Sequence, residues 1–391
     1  MTFDTASSGS GIVAASITGE VAERLFALAG KDLEDSQAVL DTANPHATGF
    51  ALDGVTVRIT TAVERETRTG HNVVGVLRSP AAHKTPALLI GAHYDHLGEG
   101  RHGNSLARDS EHGQVHHGAD DNASGVVGVL AIAEMLAALE RTRDVVLAFW
   151  SGEELGLLGS ASFVNDTLGD ASTLQACLNL DMIGRSRDNR LAIQGVGSSH
   201  GWRRLIEQAN IPVGFDLQLQ DDPYLPTDSS SFNRVGVPCL NLFTGAHEDY
   251  HRPSDVAGKI NYGDMERVVQ LTANIGRRLV TRDEPLAFVK VEPRVQQGAA
   301  PAAVRAYTGT IPDYATEIEG LLLSGVIGGG PAEVAGLREG DVIVKFGATD
   351  ITNIYDYTYA LEAVKVGEPL TVVYQRDGEQ QETVLTPTVR P

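Results

Sequence analysis

Cysteine is scarce: Cys177 and Cys239 are the only two, each inside an apolar run. Two thiols cannot build a thiolate zinc site, so any metal here would need nitrogen and oxygen ligands. They read as buried thiols, and whether they pair with each other stays open at this level. Positive charge is also short. Lys and Arg number 31 against 51 Asp and Glu, a formal net charge of −20. Such a surface repels nucleic acid and anionic membranes and argues against both as partners. No apolar run approaches the roughly eighteen residues of a membrane span. The opening stretch MTFDTASSGSG lacks the charged and apolar regions of a signal peptide, so the chain is either cytosolic or a processed or truncated form.

What is present is globular: 42% hydrophobic and 21% charged residues over 391 positions, enough for two domains. Apolar, β-branched runs at 72–77, 87–92, 145–150, 176–180, 191–194 and 237–243 read as strands. Stretches at 123–140, 201–210 and 264–280 carry the three-and-four spacing of amphipathic helices. The alternation predicts an α/β domain with a mixed, largely parallel central sheet flanked by helices, over residues 48–283. Residues 284–303, rich in Pro, Gly and Ala, read as a linker, and 304–391 as a small β-rich domain with one or two short helices.

Chemistry-bearing residues follow these runs in turn. ALLIGA leads into His93-Tyr94-Asp95, and Gly118-Ala119-Asp120-Asp121-Asn122 precedes the first long helix. VVLAFW leads into Ser151-Gly152-Glu153-Glu154, ACLNL into Asp181, and PCLNLFTG into His247-Glu248-Asp249-Tyr250-His251. Open α/β sheets bind ligands outside the carboxyl ends of their strands, so these five segments converge on one edge. Each alone has an ordinary reading: an Asp pair as an N-cap, a Glu pair as a helix start, a His-x-Asp as a satisfied surface pair. Together they are harder to dismiss, because carboxylates directly after apolar strands are costly to bury unless paired or bound to metal.

GAHYDHLG, GADDNASG, WSGEELGLLGS, NLDMIG and EDYHRPSD resemble, in order and spacing, the motif series of the double-zinc aminopeptidases. That family also includes glutamate carboxypeptidases, the transferrin receptor ectodomain and glutaminyl cyclases. The resemblance covers residues 48–280 and implies the zinc exopeptidase fold with two Zn2+ ions per chain. Carried over residue by residue, it implies that Asp120 bridges the ions. His93 and Asp181 would complete one site, Glu154 and His251 the other, with Glu153 the general base. The pattern gives the metal to the histidine of Asp-Tyr-His, hence His251 and not His247. Tyr224 matches a tyrosine that helps stabilise the tetrahedral oxyanion, although Thr227-Asp228-Ser229 stands where relatives often have Ser-Asp-His. The implied substrates are peptides with a free N-terminus, cut at their first peptide bond.

The donor chemistry is consistent with this. Histidine and carboxylate suit zinc, and three protein ligands per ion leave a position for water. Water polarised by two dications attacks a carbonyl near neutral pH without a covalent intermediate. Asp95 shares an extended face with His93 and is placed to orient its imidazole. His102, His112, His116 and His117, in a Gly- and charge-rich loop, read as solvated or supporting.

Two other functions compete. Gly197-Ser198-Ser199-His200-Gly201 fits the G-x-S-x-G elbow of a serine hydrolase, with Ser199 as nucleophile and Asp228 or Asp249 and then His251 in the right order. It leaves His93, Asp120, Glu153, Glu154 and Asp181 without a role. A non-catalytic peptide-binding scaffold is the other, since fold alone does not give function.

GLLLSGVIGGGPAEVAGLREGDVIVKFG, residues 320–347, resembles bacterial PDZ domains, a likeness running from 304 to 388. It implies that Tyr307-Thr308-Gly309-Thr310-Ile311 is a loop whose backbone N–H groups capture a peptide C-terminus. The alternative is a packing module with a closed groove. Residues 11–45 resemble the last strand and helix of a protease-associated domain, which makes 1–47 a remnant of one. Relatives with this architecture are commonly exported, which implies a periplasmic or secreted protein.

Overall fold

The computed structural model describes residues 17–41, 56, 58, 68–80, 86–101, 104–292, 306–313, 318–352, 356–357, 360–361 and 364–388. Contacts divide the chain into two units, Thr2–Thr69 and Gly70–Pro391. The first holds two helices, α1 (Gly19–Leu28) and α2 (Leu33–Asp41). Residues 1–16 and 42–47 of the expected N-terminal remnant, His102, and residues 293–305 lie outside the described residues. Among the described residues no helix is long and apolar enough to cross a membrane.

The larger lobe is built on a seven-stranded sheet. Its strands are β1 (Val73–Leu77), β2 (Ala87–His93), β3 (Val145–Trp150), β4 (Leu174–Leu180), β5 (Arg190–Gln194), β6 (Asp216–Leu219) and β7 (Cys239–Phe243), in the order β1-β3-β2-β4-β7-β5-β6. The central strands β3, β2, β4 and β7 are parallel, while β1 on β3 and β5 on β7 are antiparallel. The sheet is therefore mixed and largely parallel. Six of the strands lie where the apolar runs predict them. β6, DLQL, is an edge strand with no fully buried residue, and its weak apolar signal hid it.

Both faces are covered, which is why the central strands read as continuous apolar runs. Leu88, Ile90, Leu178 and Leu240 point to one face, under α3 (Gly125–Ala137), α5 (Trp202–Asn210) and α7 (Tyr262–Thr281). Leu89, Cys177 and Cys239 point to the other, against Phe163 and the Phe232 of α6 (Asp228–Asn233), beyond the short α4 (Leu158–Ser162). Cys177 and Cys239 face each other in register on β4 and β7 and are free thiols. Burial pushes both up, Cys239 to about 12.

The smaller lobe is an antiparallel sheet of β8 (Thr310–Pro312), β9 (Leu321–Val326), β10 (Val342–Phe346), β11 (Thr349–Asp350), β12 (Leu370–Arg376) and β13 (Glu379–Leu385), with α8 (Pro331–Val334). Its order is β13-β12-β10-β9-β8, with β11 on β10, so β8 is an edge. The lobe has its own core around Leu321, Leu323, Ile343, Phe346, Tyr357 and Val372. A bidentate pair of Arg376 with the fully buried Asp341 (2.7 Å to each oxygen) closes it.

Candidate metal centre

The carboxyl ends of the parallel strands bring the charged segments together. His93 closes β2, Glu153 and Glu154 follow β3, Asp181 follows β4, and His247 to His251 follow β7. The remaining contributor is the turn ahead of α3. It begins at Gly118, whose φ of +59° is costly for other residues and whose absent Cβ would run into the Asp121 carbonyl and the His96 ring. The Asp255 carboxylate then accepts the N–H groups of Asp120 (2.9 Å) and Asp121 (3.1 Å). Asn122 bonds the Leu180 carbonyl (3.0 Å) and caps Gly125 N–H (3.0 Å), pinning the turn to the end of β4. The Asp121–Asn122 peptide is cis.

This turn sends the two aspartates different ways. Asp120, the expected bridge, is turned away from the cluster: its carboxylate accepts Gly184 N–H (2.6 Å) and lies 3.2 Å from His247 Nε2. Asp121 takes the central place. Its Oδ1 is 3.2 Å from His93 Nε2, and its Oδ2 is 3.4 Å from His251 Nε2. Asp181 approaches His93 Nε2 at 3.6 Å, and Glu154 approaches His251 Nε2 at 3.1 Å. Two groups of nitrogen and oxygen donors thus share one carboxylate. The reason for the correction is local: Asp121 has non-helical backbone angles (φ −106°, ψ 87°), so neighbouring side chains project to opposite sides. Only one can face inward.

His96, unremarked in the sequence beyond its place in GAHYDHLG, also reaches the centre. Its Nδ1 is 2.7 Å from Glu154 Oε1 and 3.9 Å from Asp121 Oδ2. His93, Asp121 and Asp181, and again His96, Asp121 and Glu154, present ligand atoms within 4.8 Å of one another. The signal available was its spacing, three residues after the histidine that ends a buried strand.

Supporting bonds fix the imidazoles. His251 Nδ1 bonds the Asn104 carbonyl (2.7 Å), and Asn104 Nδ2 donates to the Glu154 carbonyl (3.1 Å). His93 Nδ1 meets the backbone carbonyl of Asp95 at 3.1 Å, whereas the Asp95 carboxylate is 3.8 Å away and instead accepts Glu153 N–H (3.2 Å). Asp95 therefore touches both His93 and the Glu153 backbone, through different atoms. Tyr224 is not brought in: its hydroxyl donates to the Val291 carbonyl at 2.7 Å. Tyr250 stands at the site instead, stacked on His251 at 3.8 Å between ring centroids. Ser199 lies on a strand–turn–helix, but its Oγ accepts Gly201 N–H, and His251 directs both nitrogens elsewhere. No serine–histidine pair forms there.

The electrostatics mark a place that favours positive charge. Burial alone would lower the imidazolium of His93, yet Asp121 and Asp181 outweigh it and hold it well above its usual value. Burial likewise opposes charge on His251, and Asp121 and Glu154 raise it to about 10. Burial would raise Asp121, but its bonds to His251 and His93 keep it well below the usual carboxylate range. Glu153 is the contrasting acid. Burial raises it most, His93 offsets part of this, and Asp181, Asp228 and Glu154 add to the rise. The donors are imidazole and carboxylate, which fits zinc-type dications.

Beside the cluster is a cavity of about 150 Å³ lined by His93, Asp121, Glu153, Asp181 and His251 on one side. Met182, Leu225, Pro226, Phe243, Ala246 and Tyr250 form apolar wall, and among the described residues no lysine or arginine lines it.

Residues 72–276 match the family model of peptidase family M28, just over half of the chain. The chain belongs to peptidase family M28. In this M28 chain, residues 286–386 match the PDZ domain model, in agreement with the β-rich second lobe. Leucine aminopeptidase 2 of Trichophyton rubrum is 28% identical over 228 residues, 51% of this chain and 42% of the relative. A probable leucine aminopeptidase 2 of Trichophyton verrucosum is 27% identical over 282 residues, 64% of this chain and 53% of the relative. The chain thus spans about half the length of the curated relatives it matches. Among solved structures, BSAP, a zinc aminopeptidase from Bacillus subtilis, is 23% identical, covering 54% of this chain and 50% of that one, with a TM-score of 0.46. Porphyromonas gingivalis glutaminyl cyclase is 19% identical, covering 52% and 76%, with a TM-score of 0.43.

Proposed function

We propose that the chain is a two-zinc aminopeptidase whose shared carboxylate is Asp121. The observation that carries this is Asp121 itself, one oxygen toward His93, which Asp181 also approaches, and the other toward His251, which Glu154 also approaches. His93, Asp121 and Asp181 would hold one ion. Asp121 and Glu154 would hold the other with His251, which approaches both, and with His96, which forms a donor group with the same two acids. When bound, the zinc ions supply Lewis acidity that polarises the scissile carbonyl and acidifies water. Glu153, in the cavity and raised in pKa, takes the proton of the attacking water and hands it to the leaving amine nitrogen. The apolar wall receives the side chain of the N-terminal residue, and the anionic lining favours its ammonium. A leucine-like side chain suits this wall, in keeping with the names of the Trichophyton relatives.

The same proposal includes a peptide C-terminus as ligand of the PDZ loop, and export of the protein, which rests on the resemblance to exported relatives of this architecture. The test is chelation followed by zinc titration, read by hydrolysis of leucyl-nitroanilide. Activity should vanish with the chelator, return fully at two equivalents, and ignore serine-directed fluorophosphonates. Activity that survives chelation or is lost to the serine reagent contradicts the proposal.

A further inference from the structure

As a sequence, the C-terminal lobe reads as a separate module beyond a linker that contributes no site residue. The packing is different. Ile311 on the edge strand β8 and Ile327 just after β9, both buried, form one apolar cluster with Met182, Ala192, Phe243 and Ala246 of the larger lobe. Three of those four, Met182, Phe243 and Ala246, also line the cavity beside the metal centre. Tyr250, which stacks on His251, packs against the same cluster, as do Leu106 and Tyr307. Leu106 N–H donates to the His251 carbonyl at 2.9 Å.

The isoleucines are held firmly from their own side. Ile327 N–H donates to the Gly309 carbonyl (2.7 Å), tying the two segments together. The flanking Thr308 and Thr310 hydroxyls meet the buried Tyr357 hydroxyl at 3.0 and 2.8 Å, anchoring the loop to the lobe's core. A wall braced this way keeps its shape, because close-packed interiors transmit displacement instead of absorbing it.

We propose that the C-terminal lobe is part of the substrate site: Ile311 and Ile327 are positioning residues that brace the apolar wall against which the first side chain of the peptide lies. This rests on the aminopeptidase reading above. The lobe thereby acts on selectivity for the N-terminal residue, while proton transfer and metal binding stay with the larger lobe. A loosened wall harms a large apolar side chain and leaves a small one nearly unaffected, since the small one gains little from it.

The test compares leucyl- and alanyl-nitroanilide on the zinc-loaded full chain and on Ile311→Ser, Ile327→Ala and Ile311→Val. For the first two variants, the leucyl-over-alanyl ratio of kcat/KM should fall about tenfold, through KM, with kcat within about twofold and zinc content unchanged. Ile311→Val should keep the ratio. Amide hydrogen exchange supplies a readout independent of turnover: residues 240–250 should exchange faster in Ile311→Ser than in the parent. Unchanged exchange there overturns the docking, and faster exchange with an unchanged ratio overturns the role in selectivity. A parent chain that cleaves neither substrate removes the aminopeptidase reading and this proposal with it, while the exchange result still reports whether the lobes are packed. A fall in kcat alone, or a loss of zinc, also contradicts the proposal.

Discussion

Asp120 and Asp121 are adjacent, both carboxylates and both buried, yet one bonds Gly184 N–H and the other faces two imidazoles. Substitution should separate them. Asp121→Asn should lose most zinc binding at both positions, read by metal analysis after dialysis. Asp120→Asn should keep both ions while costing about 1–3 kcal/mol of stability through its weakened bond to Gly184 N–H. Glu153→Gln preserves size and reach but removes basicity, so it should retain zinc and lose about a hundred- to ten-thousand-fold in turnover. Metal content and rates measured side by side distinguish the roles of these three acids. Protonation gives a further check. The folded pKa of His251 is about 10 against an ordinary 6.5. The metal-free pair of His251 with its acids therefore contributes stability that is complete below pH 6.5 and lost as pH climbs through about 10. On the proposed ligand set zinc would displace that proton, so its affinity should rise with pH over the same window. The gain in thermal midpoint on adding zinc should widen between about pH 6.5 and 9. A constant gap would show that the histidines do not exchange protons for metal.

At the scale of elements, the turn 118–124 decides how the site is assembled, and Gly118 decides the turn. Gly118→Ala adds a methyl against the Asp121 carbonyl and His96 at a positive φ. It should destabilise by about 1–3 kcal/mol and weaken zinc binding more than a Gly→Ala change at Gly113, where nothing lies near the added Cβ. Thermal melts and zinc titrations of both variants check this. The same turn shows where sequence reading stops. Apolar runs announce β2, β3, β4 and β7, because strands covered on both faces need continuous apolar residues. The residues just after them follow from the rule for open sheets. Which of two neighbouring aspartates looks inward depends on backbone angles set by Gly118, Asp255 and Asn122, partners as far as 135 residues away in sequence. Gly118 and Asn122 stand in the local string, but the Asp255 carboxylate that completes the turn does not. The placement of Tyr224 likewise depends on a distant partner: its hydroxyl donates to the Val291 carbonyl, 67 residues on. Short half-exposed β6 and the six-residue α6 carried too little periodic signal to be seen.

At the scale of the whole molecule, charge is disposed to attract a free peptide N-terminus, the substrate proposed above, toward the acidic cavity beside the candidate metal centre. The chain's net charge of −20 favours approach of a positively charged amine, and among the described residues the lining beside the centre carries carboxylates and imidazoles without lysine or arginine. The two cysteines, buried and pushed up in pKa, stay out of the chemistry. The most direct measurement is hydrolysis of leucyl-glycinamide against its N-acetylated form by the zinc-loaded chain. Rapid release of leucine from the first and no detectable cleavage of the second are expected. Equal cleavage of the two would contradict the aminopeptidase reading.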